Sequence, residues 1–230
     1  MSRTKIKTFL KKTNDFIEKN ELKSALDSIK TLANNLQNWS ITDKLNELNN
    51  NYKYMLYYLI EGTTDPEQDK IYNKLIRDTY KLASDVAEVA LTEESSDLFF
   101  EKKRVFSKRS PLSLNESSEL LRKNIDNRAL LTLFDDGEEK SNRSKKNAEE
   151  HERLISDMFY SIFSASRAND DVINDYTQFI NDEIITIDDK CMFISALMLN
   201  IMQRFDLKKI LFLLNCCAHN NMPISMRSIV

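Results

Sequence analysis

Two histidines and three cysteines are the residues of this 230-residue chain best suited to metal or nucleophilic chemistry: His151, Cys191, Cys216, Cys217 and His219. A structural zinc site takes four ligands, usually as two short-spaced pairs. Cys216 and His219 stand three apart, so one helix face could carry both, but the sequence has no paired CxxC to complete the set. The five read as core cysteines and polar histidines, and no metal is expected. Glu149, Glu150, His151 and Glu152 concentrate charge around a histidine. The metalloprotease pattern needs a second histidine where Ile155 stands, and the di-iron pattern needs a glutamate where Ala148 stands. Acidic charge of this kind suits the start of a helix.

Acid–base and phosphate chemistry find no constellation either. The pairs Asp135–Asp136, Asp170–Asp171 and Asp188–Asp189 fall at expected helix ends or loops. Neighbours on a helix point in different directions, so these read as caps and solvated charges. With only two glycines, the usual phosphate-cradling loops cannot be built, and no GxSxG elbow occurs. No catalytic residue and no cofactor is expected. Basic residues from Lys102 to Arg109 interleave with Phe99, Phe100 and Phe106, a pattern that can hold nucleic acid. A net charge of -3 argues instead for an amphipathic helix with its lysines in water. Tyr52, Tyr54, Tyr57 and Tyr58 form the densest aromatic cluster. Tyr54 and Tyr58, four apart, share a helix face and are a candidate partner contact.

The elements that position these residues are helices throughout. Sheet proteins need turn residues at short intervals, which 2 Gly and 3 Pro cannot supply. At 41% hydrophobic and 30% charged, the chain is too apolar for disorder throughout. No run approaches the roughly 20 apolar residues of a membrane span, and the basic N-terminus lacks a signal-peptide core. An odd number of cysteines fits a reducing, cytoplasmic setting.

Apolar spacing predicts helices over 5–18 and 21–35, with Asn20 between them as a cap for the second. A third starts near Thr42, capped by Thr42 or Ser40, carries Leu45, Leu48, Tyr52, Met55, Leu56 and Leu59 inward, and stops at Gly62. Asp65–Pro66 opens a long fourth helix to about residue 91, whose buried stripe includes Ile71, Leu75, Leu82, Val86 and Val89. A short helix between 93 and 109, a break at Ser110–Pro111 and a helix from Ser113 or Asn115 to Phe134 follow. Residues 135–147 lack hydrophobic side chains and read as a loop or mobile linker between an N-terminal segment, 1–134, and a C-terminal one, 148–230. Further helices cover residues up to Phe163, 172–183, 188–205 and 207–218, and a last pattern begins at Ile224. The helices are expected to pack as consecutive antiparallel hairpins.

From Leu207 an apolar helix runs into a polar turn through Asn220 and Asn221, then Pro223 and a second helix with Arg227 in its first turn. This stretch, to Val230, resembles a HEAT-type helical repeat. Residues 65–104 also resemble parts of bacterial helical proteins to which no activity attaches. The repeat likeness implies an α-solenoid and a binding surface, not a catalytic residue. The 207–218 helix is apolar on much of its circumference and must be covered on more than one side. An exposed apolar surface is therefore expected at Leu211, Leu214 and Ile229. Further repeats of the same gene product, or self-association through the C-terminal helices, would meet it. The expected function is a non-enzymatic scaffold for a protein or peptide partner. The alternatives are a helical regulatory or nucleic-acid-associated protein, or an enzyme with dispersed residues.

Overall fold

The computed structural model describes residues 3–36, 38–61, 67–108, 112–133 and 137–229. Among them are eleven α-helices and no strand, so the fold is all-α. The chain divides into two compact units, Met1–Phe100 and Glu101–Val230. The expected signals at Gly62, Asp65–Pro66, Ser110–Pro111, Phe134, Asp135, Asp136 and Val230 lie outside the described residues.

The N-terminal unit is built on α1 (Arg3–Glu18), α2 (Leu22–Leu36), α3 (Trp39–Ile60) and α4 (Gln68–Glu94). Each packs on its successor, and α4 returns to pack on α1 and α2 as well. Ala83, Ala87 and Ala90 on the buried side of α4 let those neighbours approach closely. The core runs through Ile6, Leu26, Ile29, Leu45, Leu82 and Val86. A polar pair inside the α1–α2 seam is satisfied within itself, Thr13 Oγ1 lying 2.9 Å from Ser28 Oγ.

Asn20 ends α1 instead of capping α2. Its φ of 60° is left-handed. Its own N–H donates to Ile17 O, and the Glu21 N–H donates to Phe16 O. That pair of bonds satisfies carbonyls left open by the helix end, and asparagine tolerates the conformation better than most residues. α3 also starts earlier than its apolar rhythm suggests. Asn38 is the cap, its side chain accepting from the Ile41 N–H, so neither Ser40 nor Thr42 serves.

The C-terminal unit contains α6 (Leu114–Leu131), α7 (Glu138–Phe163), α8 (Asp170–Asn181), α9 (Ile187–Gln203), α10 (Leu207–Cys217) and α11 (Met222–Arg227); α5 (Leu98–Lys108) contains the division between units. Its packing alternates. α6, α8 and α10 form one succession, α7, α9 and α11 the other, and α6–α7 and α10–α11 pair across. Tyr176, Phe179, Phe193 and Phe212 stitch α8, α9 and α10 together with ring centroids 5.0–6.3 Å apart. Side-chain caps at Ser113, Asn169, Thr186 and Asp206 start four of these helices.

The charged run expected as a loop is helix from Glu138 onward. Glutamate and lysine are good helix formers, two glutamates favour the first turn, and Glu139 pairs with Arg143 one turn on. The missing apolar residues mean that this half of α7 faces water, not that it is unstructured.

Candidate functional site

In the N-terminal unit, α1 and α2 are 16 and 15 residues long, while α3 and α4 are 22 and 27. At about 1.5 Å per residue, the long pair outruns the short pair by roughly 10 Å or more. On α3 the positions Ile41, Leu45, Leu48, Tyr52 and Met55 follow a seven-residue rhythm into the core, and Leu59 continues it. On α4 the same is true of Ile71 ahead of Leu75. The stripes persist where the cover stops: Leu59 and Ile71 are exposed, as is Leu56. Their expected burial is corrected, because the spacing fixes which way they point but not how far a neighbour reaches.

A cavity of about 450 Å³ lies between the overhanging ends. Tyr54, Met55, Tyr58 and Leu59 line it from α3, and Ile71 and Leu75 from α4. Asn51, Gln68, Lys74 and Asp78 supply its polar edge. Tyr54 and Tyr58 are 64% and 57% exposed, so both present ring surface to the groove mouth. Tyr57 is engaged by Glu61, a hydrogen bond that raises its phenol above the ordinary value.

The other three candidate residues belong to the C-terminal unit. Leu211 and Leu214 lie on the outward face of α10, and Ile229 follows α11; all three are exposed. Leu211 also borders a shallower groove between α8 and α10 that includes Cys216 and His219. Burial pushes the Cys216 thiol up to about 11, and His219 Nδ1 accepts the Asn221 N–H at 3.0 Å. Among the described residues no three His, Cys, Asp or Glu side chains converge as a metal site.

Two buried polar clusters in this unit have the residue types of an active site. His151 Nε2 is 3.1 Å from Asp189 Oδ1, a histidine–carboxylate pair. Its Nδ1 is 3.1 Å from Asn124 Oδ1. Asn124 and Asn147 bond reciprocally, each amide nitrogen donating to the other's main-chain carbonyl at 3.0 Å. Both ring nitrogens are therefore occupied, and none is left to face a nucleophile or substrate. The cluster ties α6, α7 and α9.

Lys209 is the second. It is 1% exposed, and burial pushes its ammonium down to about 8. A depressed lysine can act as a nucleophile when substrate reaches it. Here Nζ donates to Ser166 O at 2.8 Å and Asn200 Oδ1 at 2.6 Å, with Asp206 Oδ2 at 3.9 Å. Asn200 donates onward to Phe163 O and Ala165 O, and Asp206 accepts from the Ala168 N–H. The lysine holds the α7–α8 connection and has no open side. In α5, Lys102 sits 4.0 Å over the Tyr160 ring and Lys103 donates to Ser166, so part of the basic run is spent on its own unit.

No helix among the described residues is long and apolar enough to cross a membrane. Comparison with protein-family models, curated proteins and solved structures returns no match.

Proposed function

We propose that the protein is a non-enzymatic helical interaction module, working in a reducing cytoplasmic setting, whose N-terminal unit binds an amphipathic helix of a partner protein. The observation that carries this is the overhang: core stripes of α3 and α4 continue into an exposed groove flanked by Tyr54 and Tyr58. Further down the same stripes the occupant is a helix of the chain itself, α1 or α2, so a helix is the shape that fits. The groove spans Asn51 to Leu59 on α3, about 12 Å or two turns. A partner helix would seat two or three apolar anchors at i, i+4 and i+7. Ring-rich, low-charge surfaces of this kind are where interface energy concentrates.

The alternating packing of α6–α11 supports the HEAT-like reading of the C-terminal unit, since stacked helix pairs touch their neighbours two elements away. The closed geometry of His151 and Lys209 favours a scaffold over an enzyme built on those residues.

The test is selection of helical peptides from a displayed library against the whole chain. Enriched sequences should carry the i, i+4, i+7 apolar pattern. Their affinity should fall tenfold or more in a Tyr58→Ala/Ile71→Glu variant that keeps its helical circular dichroism. Selected peptides that bind this variant as tightly as the parent would overturn the reading.

A further inference from the structure

In the C-terminal unit, α10 is turned with a lysine inward and leucines outward. Lys209, Phe212, Leu213 and Cys216 are buried, whereas Leu207, Leu211 and Leu214 sit on the opposite side of the helix. α11 repeats the arrangement, burying Ile224 and leaving Met222 and Met226 out, with Ile229 exposed just past its end. These six side chains are between 51% and 69% exposed. Single exposed leucines are ordinary, but two apolar stripes on a packed helix pair mark an interaction surface.

We infer that this face joins two copies of the chain, α10 and α11 of one against α10 and α11 of the other about a twofold axis. Area is the first reason. At about 190 Å² for each fully exposed residue of this size, the six leave about 700 Å², close to the roughly 800 Å² each partner gives a standard interface. Charge is the second. A twofold interface sets each stripe against itself, so a charged stripe would repel its own copy. The α10 stripe holds no charge: Lys208 is drawn to Asp170 at 2.8 Å, and Lys209 is inside. Methionines at two of the six positions adapt to the partner surface without a preformed pocket. The inference is independent of the α3–α4 groove and lies in the other unit.

The mass of the unaltered chain should be measured by light scattering and sedimentation across about 1 to 100 μM. A dimer is expected in the upper part of that range. Leu211→Glu/Leu214→Glu should shift the midpoint of association at least tenfold upward while leaving the helical signal unchanged, whereas Tyr58→Ala/Ile71→Glu should leave the mass unchanged. Because a folding defect could mimic the first result, amide exchange on the unaltered chain provides a second reading: residues 207–229 should gain protection as concentration rises. A monomer at every concentration, which would leave this face to a different protein, overturns the inference. So does a dimer that survives the double glutamate variant.

Discussion

Lys209 should make the protein more stable as pH rises above neutrality, against the trend of its raised tyrosines and thiols. Burial lowers the ammonium from an ordinary 10.5 to about 8, partly offset by Asp206. Below about pH 8 the folded and unfolded chains both hold the proton. Between about 8 and 10.5 only the unfolded chain does, so the unfolded state binds more protons and the unfolding free energy climbs with pH. At about 1.4 kcal/mol per unit, the gain by pH 10 is about 2 to 3 kcal/mol. Tyr176 and Cys216 act the other way. Burial raises both, so their contribution falls once the unfolded chain begins to ionise them, near pH 10 and pH 9.

Lys209→Met isolates the lysine. At pH 7 it removes the donor to Ser166 O and Asn200 Oδ1 and leaves Asp206 without its nearest buried cation, at a cost of about 3 to 5 kcal/mol. Subtracting the variant's unfolding free energy from the parent's at pH 7, 8, 9 and 10 cancels the tyrosine and thiol contributions. Urea denaturation followed by circular dichroism supplies both curves. The gap should widen by about 2 to 3 kcal/mol between pH 7 and pH 10. Parallel curves would refute the reasoning, because they would mean that the folded lysine keeps its proton through the whole range.

Three smaller outcomes follow from local structure. Asn20→Gly should be neutral or slightly stabilising and Asn20→Val should lose about 1 to 2 kcal/mol, since φ at this position is 60°; equal stability of the two would contradict the assignment. Glu116→Ala should lower the urea midpoint, because Glu116 returns the hydrogen bond of the Ser113 cap, an arrangement that also holds its carboxyl below the ordinary value. In native-state amide exchange, residues 139–146 of α7 should open faster than 154–163, whose side chains reach the core, but slower than an unstructured peptide. Exchange at the unstructured rate would restore the loop that composition suggested.

How much of this was legible depends on whether the deciding contact is local. The α2 stripe of Leu22, Ala25, Leu26, Ile29, Leu32 and Ala33 is a complete 3.6-residue pattern, and all six are buried. For α6 the sequence offers Ser113 or Asn115 as the start, and the structure selects Ser113, whose side chain and Glu116 close a reciprocal cap. Asn20 was ambiguous: asparagine serves both as an N-cap and as a left-handed helix end, and the choice rests on which helix closes first. The run 138–147 misled because apolar content reports burial, while helix formation there rests on propensity and charge spacing. For the candidate site, the sequence pattern sets Tyr54 and Tyr58 as a pair on one helix face, but the same pattern points Leu59 and Ile71 into the core. Their exposure follows from the different lengths of four helices, and no single segment encodes that.

Lys209 and its helix show the limit most directly. Read as periodicity, α10 offers two apolar faces, one with Phe212, Leu213 and Cys216 and one with Leu207, Leu211 and Leu214. Either could turn inward. Hydrophobic burial alone favours the leucines, at about 1.5 to 3 kcal/mol each, and would expose the lysine. Two features outside the helix decide otherwise. The ring cluster of Tyr176 and Phe193 accepts Phe212 edge-on, at 5.6 and 6.3 Å. On the same side, Ser166 O and Asn200 Oδ1 need a donor that Lys209 alone reaches on α10. Leaving those acceptors buried without one costs about 1 to 3 kcal/mol apiece. The lysine goes in because its partners are already there, from 9 and 43 residues away. The leucines go out as a consequence, which leaves Leu207, Leu211 and Leu214 as an exposed row on α10.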